Sequence, residues 1–402
     1  MKAMHYPRLY ETIVREHLSR YRQMVFLSGP RQVGKTTLGE QLSTDYLSWD
    51  DSDVRRAIQT GQRAVVDQYA LAAATERERV VVFDEIHKYA KWKSFLKGFY
   101  DAHAKNMHLI ATGSAKMDVY KKGGDSLMGR YFPYRMHPFS VAELLDVTIP
   151  DEKLIRRPKQ LADAEWEALW RFGGFPDPFC RRDVRFLNRW RSLRFEQLTQ
   201  GDTRDLTQIV ELEQLIVLAE ILANRSGEQL VYKNLAVEIG VDEKTVKKWI
   251  KTLKYLYFGF EVRPWFRNIE NSIRKMPKWY VRDWSGVEDE GKRVETLVAC
   301  HMLKAVEGWT DMGFGSFSLN YVRDKRKREV DFLVAKDNRP WFLVEVKMSD
   351  MHLSENLAAF QRLCGAKHAF QVVWDCPYVE RDCFDYTDPV VVPARTFLSQ
   401  LL

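Results

Sequence analysis

A glycine-rich stretch near the amino terminus has the residue types that bind phosphate. Gly29 and Gly34 enclose four residues and are followed by Lys35 and Thr36, which fits the P-loop pattern. In that pattern backbone N–H groups wrap phosphate oxygens, the lysine meets the β- and γ-phosphates and the hydroxyl holds Mg²⁺. An apolar run at residues 24–28 precedes the glycines and a helical pattern follows them, as the motif requires. We therefore expect a site for ATP and Mg²⁺ here.

Two carboxylates follow a second apolar run. Residues 80–83 predict a buried strand with Asp84 and Glu85 at its carboxyl end. Asp84 is placed to help hold Mg²⁺, and Glu85 to orient and deprotonate an attacking water. A third run, residues 108–111, ends at Thr112, whose hydroxyl would sense the γ-phosphate or hold the water if the two strands are neighbours. A strand-end threonine is equally ordinary in a turn.

A single arginine is a further candidate for phosphate chemistry. Arg130 follows a loop, residues 121–124, that contains two lysines and two glycines. An arginine finger in this position would neutralise the charge of the transition state. An ordinary surface arginine explains the residue equally well. If Arg130 acts on a neighbouring subunit, the chain must form a homo-oligomer.

The elements that position these residues are strands alternating with helices. The apolar runs at 24–28, 46–49, 80–83 and 108–111 are typical of strands, and helical patterns separate them. This order predicts an α/β domain with a parallel sheet covered on both faces. From about residue 146 the pattern is mostly helical, with a loop predicted at the glycine pair and proline of residues 172–176.

Residues 235–253 have the spacing of a helix-turn-helix. Gly240 ends the first predicted helix and Asp242 can cap the second. One face of the second helix is apolar, while the opposite face carries Lys244, Lys247, Lys248, Lys251 and Lys254.

The net charge is concentrated around this motif. Residues 229–283 contain 12 Lys and Arg against six Asp and Glu, so they hold +6 of the chain's formal +7. A lysine-rich helix with a β wing, residues 258–266 and 278–281, suits binding to the phosphate backbone of DNA with little sequence preference. The alternative is a solvated face in a domain that contacts only protein.

Six short sequence segments together resemble a known protein family. They are residues 29–37 (GPRQVGKTT), 83–87 (FDEIH), 111–114 (ATGS), 129–130 (GR), 137–143 (HPFSVAE) and 172–176 (FGGFP). Together they resemble the AAA+ ATPases that carry a C-terminal DUF4143 domain. The resemblance implies an AAA-type core at 1–145, a helical segment at 146–228, a winged helix at 229–285 and a PD-(D/E)XK nuclease-like α/β domain at 286–402. Within the core we expect nucleotide contacts from Gly29, Arg31, Gly34, Lys35, Thr36, Thr37, Asp84 and Thr112.

The carboxyl-terminal region contains a second set of chemical groups. Asp331, thirteen intervening residues and then Glu345-x-Lys347 match the PD-(D/E)XK spacing, on two strands that form a hairpin. Glu295 matches the additional acidic position of that family. Carboxylates of Glu295, Asp331 and Glu345 would bind Mg²⁺, while Lys347 would position water and offset phosphate charge. A basic run at residues 323–328 would grip a phosphate backbone. Alternating acids and lysines are also common on half-exposed strands.

Composition limits the remaining classes. The 402 residues are enough for two or three domains, and no apolar stretch approaches the roughly 20 residues of a membrane span. The five cysteines are scattered, without a Cys-x-x-Cys pair, and the chain starts without an apolar leader. These features predict a cytoplasmic protein without disulfides or a membrane anchor.

Two functions remain open. The first is an ATP-hydrolysing protein that acts on DNA, with a Mg²⁺-dependent endonuclease in its last domain. The second is a nucleotide-controlled switch in which the nuclease-like domain is a catalytically silent docking module.

Overall fold

The computed structural model describes residues 6–73, 78–113, 127–202, 212–265 and 276–402. The chain divides into two compact units, Pro7–His137 and a second unit made of Tyr6 with Pro138–Leu402. None of the described helices is both long and apolar enough to cross a membrane.

The first unit alternates strands with helices. Its strands are β1 (Met24–Ser28), β2 (Asp45–Ser48), β3 (Arg79–Asp84), β4 (Met107–Gly113) and β5 (Tyr131–Arg135). Its α-helices are α1 (Leu9–Arg20), α2 (Lys35–Leu42), α3 (Ser52–Thr60), α4 (Gln62–Gln68) and α5 (Trp92–His103). A single 3₁₀ turn, Ile86–Lys88, follows β3.

These strands form one parallel sheet in the order β2-β3-β4-β1-β5. β1 and β4 are buried along their whole length, which explains their continuous apolar runs. The predicted parallel sheet is confirmed, and β3 and β4 are neighbours, so Thr112 near the end of β4 lies beside the end of β3. β5 is less evident in the sequence because it is a half-exposed edge strand that contains Pro133.

The second unit contains the remaining elements. Its α-helices are α6 (Val141–Leu145), α7 (Asp163–Phe172), α8 (Pro176–Arg181), α9 (Val184–Glu196), α10 (Leu212–Asn224), α11 (Tyr232–Ile239), α12 (Glu243–Tyr255), α13 (Glu290–Asp311), α14 (Glu355–Cys364) and α15 (Ala394–Ser399). Its strands are β6 (Gly259–Pro264), β7 (Lys278–Val281), β8 (Phe317–Arg323), β9 (Glu329–Lys336), β10 (Arg339–Lys347), β11 (His368–Val373) and β12 (Val390–Pro393). A π-helical segment, Gln197–Asp202, follows α9.

The loop predicted at residues 172–176 is confirmed. Gly173, with φ of 75°, ends α7, and Pro176 begins α8. A β-carbon on Gly174 would lie 2.6 Å from the carbonyl oxygen of Phe139. The second glycine therefore allows two segments of backbone to touch, and the N–H of Phe139 donates to the carbonyl of Gly174 at 2.7 Å.

The second sheet has seven strands in the order β12-β11-β10-β9-β8-β6-β7. β9 runs antiparallel to both of its neighbours, β8 and β10, and β11 and β12 extend the sheet in parallel with β10. β6 pairs antiparallel with β7 and parallel with β8. The two strands predicted as the wing of the helix-turn-helix are therefore continuous with the C-terminal sheet.

The helix-turn-helix forms as its capping residues predict. Gly240 adopts φ of 77° at the end of α11. Asp242 caps α12 by accepting the backbone N–H groups of Lys244 at 2.7 Å and Thr245 at 3.0 Å. The apolar face of α12 is buried through Val246, Trp249, Ile250 and Leu253.

Candidate nucleotide site and carboxylate cluster

The loop between β1 and α2 depends on its two glycines. Gly29 and Gly34 have φ of 153° and 100°, a region that favours glycine. A β-carbon on Gly29 would lie 2.4 Å from the carbonyl oxygen of Met136, the residue that follows β5. Any other residue at position 29 would therefore displace this segment of the chain.

Arg8, which precedes α1, holds the glycine loop by hydrogen bonds. Arg8 donates from Nη1 to the carbonyl of Val33 and from Nη2 to the carbonyl of His137, both at 2.6 Å. Arg31 lies half-buried in the same loop, and Thr37 is exposed in the first turn of α2. α2 begins directly after Gly34, so the backbone N–H groups of its first turn adjoin the glycine loop. A helix start of this kind binds anions.

Lys35 and Thr36 provide the cationic and hydroxyl groups of the site. The ammonium of Lys35 is buried and donates to the carbonyl oxygens of Gly29 at 3.0 Å and Pro30 at 2.8 Å. The hydroxyl of Thr36 lies 3.3 Å from Oδ2 of Asp84. These two oxygen ligands fit Mg²⁺, which takes one or two protein oxygens and completes its shell with water and phosphate oxygens.

Two hydroxyls fix the carboxylate of Asp84, which is itself buried. Thr112, fully buried at the end of β4, donates to Oδ1, and Tyr46 donates to Oδ2 at 2.6 Å. Burial and the charge of Asp84 raise the pKa of Tyr46, so its phenol stays protonated as a donor. Thr112 therefore acts here as an anchor for the proposed Mg²⁺ ligand.

Glu85 stands at the carboxyl end of β3 in a strained conformation. Its φ of 53° is left-handed, which is uncommon for a residue with a side chain. The carboxylate is partly exposed, and Oε2 lies 3.6 Å from Nζ of Lys88 and 3.7 Å from Nε2 of His87. This conformation ends β3 immediately after Asp84 and leads into the 3₁₀ turn Ile86–Lys88.

Arg130 does not join this group. It immediately precedes β5, and its carbonyl accepts the N–H of Met24 at the first residue of β1. The glycine loop lies at the other end of β1, about 13 Å away at the usual rise per strand residue. The guanidinium instead makes a bidentate pair with Asp101, with bonds of 2.7 and 3.0 Å. Arg130 thus lies at the opposite edge of the sheet from the phosphate loop of its own chain.

The lysine face of α12 is exposed as the helical spacing requires, with Lys244, Lys247, Lys248 and Lys251 on one side. Lys247 pairs with Glu243 at 2.5 Å. Within the described ranges, Lys244, Lys248 and Lys251 have no carboxylate oxygen within 4 Å. These three lysines therefore offer the most available charge.

The rest of the basic segment is used differently from what its charge count suggests. Lys254 and Arg263 both pair with Glu261, at 2.7 and 2.8 Å. Lys278 and Arg282 are buried. Among the described residues of 229–283, fewer basic side chains are therefore exposed and unpaired than the net charge of +6 suggests.

The C-terminal hairpin brings three of the predicted residues together. Asp331 on β9 accepts the N–H of Val346 through Oδ2 at 2.9 Å. Glu345 and Lys347 share a face of β10 and pair at 2.9 Å. Glu345 is buried, and its second oxygen has no hydrogen-bond partner in the described part of the chain. Burial favours a lower pKa for Lys347, but the hydrogen bond and the charge of Glu345 outweigh burial. The pKa of Lys347 is therefore raised, and the ammonium stays charged.

Glu295, on α13, lies beside this hairpin. Its Oε1 accepts the hydroxyl of Tyr280 at 2.6 Å and lies 3.2 Å from Nζ of Lys278. Burial, together with the negative charge of Asp331, raises the pKa of Glu295 to about 7. Its carboxylate is therefore costly to ionise in this position.

Lys278 places a positive charge among the carboxylates. Its ammonium is buried and lies 2.7 Å from Glu329, 3.2 Å from Glu295 and 3.4 Å from Asp331. Burial alone would lower the pKa of Lys278, but the three carboxylates outweigh it and the pKa is raised. The acidic residues already share a cation, so in this arrangement they do not fit a metal ion. Among the described residues, no three Asp, Glu, His or Cys side chains form a group able to hold a metal.

The sequence alone does not reveal two residues that contact the predicted site residues. Tyr46 contacts Asp84, and Lys278 contacts the C-terminal carboxylates. Tyr46 belongs to a strand that pairs beside β3, and Lys278 belongs to β7, which the sequence suggests only as a wing. A tyrosine at the start of the strand that follows the P-loop helix is the sole sequence signal for the first residue. The second has none, because its contacts come from α13 and β9.

The fold and loop geometry define the first unit as a P-loop domain of the AAA type. Residues 21–145 match the AAA domain model, residues 290–382 match a domain of unknown function, DUF4143, and residues 163–286 match another, DUF8612. The chain thus matches an AAA domain model in its first unit and the DUF4143 model towards its carboxyl end, the two domains of the family that the sequence blocks resemble. The AAA domain supports nucleotide binding and an NTPase class for the chain.

Curated relatives exist in bacteria and archaea. Uncharacterized proteins of Mycobacterium bovis and Mycobacterium tuberculosis are each 23% identical over 262 residues, covering 65% of this chain and 54% of theirs. An uncharacterized protein of Methanocaldococcus jannaschii is 22% identical over 308 residues, covering 66% of this chain and 63% of its own. The chain spans about half the length of the mycobacterial relatives.

Two solved structures also align with the chain. One is C. elegans PCH-2, with a TM-score of 0.23 and 13% identity, covering 60% of this chain and 66% of that one. The other is Drosophila ORC bound to AT-rich DNA and Cdc6, with a TM-score of 0.22 and 10% identity, covering 68% of this chain and 86% of that one. Both TM-scores are too low to carry a comparison of folds.

Proposed function

We propose that the AAA domain hydrolyses ATP with Mg²⁺. The observation that carries this proposal is the convergence of Lys35, Thr36, Asp84 and Thr112 at the carboxyl edge of one sheet, beside a glycine loop at a helix start. Mg²⁺ bound with ATP offsets the charge on the β- and γ-phosphates. Lys35 would move from its loop carbonyls to the phosphates, and Asp84 would hold the cation together with Thr36.

Glu85 is the proposed general base. It is partly exposed and directly follows Asp84 at the carboxyl end of β3, so it would orient and deprotonate the attacking water. The test is Mg²⁺-dependent phosphate release from ATP by the full chain, with Lys35→Ala as the variant that loses nucleotide binding. Absence of ATP binding by the wild-type chain would remove the proposal.

We infer further that the chain binds DNA through the lysine face of α12. Four lysines at helical spacing, three of them without a close carboxylate among the described residues, support contact with phosphates and not with base edges. A gel-shift titration at several salt concentrations tests this. Salt-insensitive or absent binding would favour the alternative, in which this face contacts protein.

The C-terminal domain raises the choice between a nuclease and a silent docking module. Asp331, Glu345 and Lys347 meet on one hairpin, which supports a PD-(D/E)XK-like arrangement. The ammonium of Lys278 among the carboxylates favours the silent module, because it would have to leave before Mg²⁺ could bind. We therefore propose a nucleotide-controlled DNA-binding protein whose last domain does not cut. Incubation with branched, single- and double-stranded DNA and Mg²⁺ or Mn²⁺ tests this; cleavage lost in Asp331→Ala would overturn it.

A further inference from the structure

A cavity of about 380 Å³ lies within the second unit, away from both sites described above. α9, α10 and the segments flanking β6 and β7 form its walls. Its volume is in the range of small-molecule pockets. The lining combines an apolar part, which includes Phe195, Leu198, Phe258 and Val281, with the guanidinium groups of Arg191 and Arg194.

Arg194 is the unusual member of this lining. It is buried, and its guanidinium carbon lies 4.1 Å from the ring centre of Phe175. Its Nε and Nη2 atoms have no hydrogen-bond partner among the described residues. Burial lowers the pKa of Arg194 to about 10; Asp283 raises it in part and Arg282 lowers it. A buried cation with unpaired donors is unfavourable unless an anion completes it.

The geometry of the unpaired atoms points to a particular class of anion. Nε and Nη2 lie on the same edge of a guanidinium, the edge that binds carboxylate and phosphate with two parallel hydrogen bonds. Arg191 also lines the cavity; its Nη2 donates to the carbonyl of Ser285, while its Nε has no partner among the described residues.

The nearby acid is already engaged. Oδ1 of Asp283 accepts the hydroxyl of Ser285 at 2.6 Å and its N–H at 3.2 Å. Asp283 therefore caps the turn after β7 and leaves the edge of Arg194 unpaired. A second carboxylate in the lining, Glu220, is on α10 and forms no ion pair with Arg194 within the described ranges.

We propose that this cavity binds a small organic anion whose phosphate or carboxylate lies on the Nε and Nη2 edge of Arg194. The apolar body of the ligand contacts Phe195, Leu198, Phe258 and Val281. The two rings among these residues, Phe195 and Phe258, lie edge to face with centres 6.0 Å apart and would contact a flat ligand. This binding site is independent of the proposed ATPase and DNA-binding functions.

Calorimetric titration of the full chain with three probes tests the proposal. The probes are phenyl phosphate, benzoate and inorganic phosphate, and they separate a phosphate from a carboxylate preference and an organic ligand from a bare ion. Lys35→Ala serves as the background, because phosphate probes also suit the glycine loop. We expect saturable binding of one equivalent of phenyl phosphate or benzoate. Binding weakened about tenfold or more by Arg194→Met is the supporting result.

Matched variants keep the test decisive. Arg189→Met, at an exposed arginine on the same helix, should leave binding unchanged. Ala223→Phe should abolish binding by filling the cavity without removing a charge, which covers the case in which Arg194→Met does not fold. No saturable binding of any probe, binding of inorganic phosphate only, or equal binding by the Ala223→Phe chain would each overturn the proposal.

Discussion

The hydroxyl of Thr36 lies 3.3 Å from the carboxylate of Asp84, although 48 residues separate them in the chain. The contact exists because β1 and β3 flank β4 in a parallel sheet, so the helix after one and the carboxylate after the other meet at the same edge. This relationship converts two separate sequence motifs into one candidate Mg²⁺ site. Thr112, between them, fixes the carboxylate by a hydrogen bond.

The position of Arg130 predicts catalysis between subunits. Because it lies at the opposite edge of the sheet from its own glycine loop, Arg130→Ala should retain ATP binding and lower turnover about a thousandfold if Arg130 is an arginine finger. Mixing Arg130→Ala with Lys35→Ala should then restore part of the turnover, since each chain supplies what the other lacks. Arg56→Ala, at an exposed arginine, is the control. Normal turnover by Arg130→Ala would identify it as a surface residue held by Asp101.

The lysine face of α12 predicts a defined salt dependence. Replacing Lys244 and Lys248 by Ala removes two proposed phosphate contacts, so the slope of log affinity against log salt should become shallower by about two. Fluorescence anisotropy with a duplex of mixed sequence measures this slope. A double variant of two exposed lysines elsewhere, Lys153→Ala with Lys367→Ala, makes the same charge change. Equal slopes in the two double variants would exclude α12 as the contact.

The carboxylate cluster predicts a gain of metal binding. Lys278→Met removes the cation shared by Glu295, Glu329 and Asp331, and should destabilise the chain by about 3–5 kcal/mol because a buried charge loses its partner. Mn²⁺ should then bind, and should raise the melting temperature of Lys278→Met but not of wild type when nucleotide is absent. Lys254→Met, which breaks one ion pair to Glu261, is the matched control. Equal Mn²⁺ binding by wild type would show that Lys278 does not occupy the cation position.

A buried histidine predicts loss of stability in acid. His301 donates from Nδ1 to the carbonyl of Leu297 at 2.8 Å, so Nε2 accepts the N–H of Val141 at 3.1 Å only while the ring is neutral. Burial lowers the pKa of His301 to about 4, below its ordinary 6.5. The unfolded chain thus takes up the proton first, and about 3 kcal/mol of stability should be lost as pH falls from 6.5 to 4.

Urea unfolding of His301→Gln against wild type at several pH values measures this contribution. The glutamine variant should be less stable at neutral pH and should lose less stability on acidification. The exposed His352→Gln should follow wild type. Parallel pH curves for wild type and His301→Gln would show that the histidine does not titrate as its burial requires.

The sequence predicts that Lys35, Thr36 and Asp84 lie together, because the motifs that carry them are local. The glycines, Lys35 and Thr36 are contiguous, and Asp84 and Glu85 follow a strand whose buried residues form an apolar run. Parallel pairing then places both motifs at one edge without further information. The sequence does not reveal the left-handed bend at Glu85, the hydrogen bond from Tyr46 to Asp84, or the position of Arg130 at the other end of β1.

The C-terminal site is less predictable because strand pairing joins distant residues. The spacing of Asp331, Glu345 and Lys347 identifies a hairpin, but nothing local indicates that β6 and β7 extend the same sheet. That extension carries Lys278 to the carboxylates and removes it from the basic surface. The charge count alone therefore overstates the surface available for DNA.

The measurement that tests the central claim most directly is ATP binding and Mg²⁺-dependent turnover by Glu85→Gln compared with wild type. The substitution preserves size and removes the proposed base, while Lys35, Thr36 and Asp84 remain. We predict unchanged nucleotide binding and turnover lowered about a hundredfold or more. Wild-type turnover in Glu85→Gln would contradict the assigned mechanism, and failure of the wild-type chain to hydrolyse ATP would contradict the function itself.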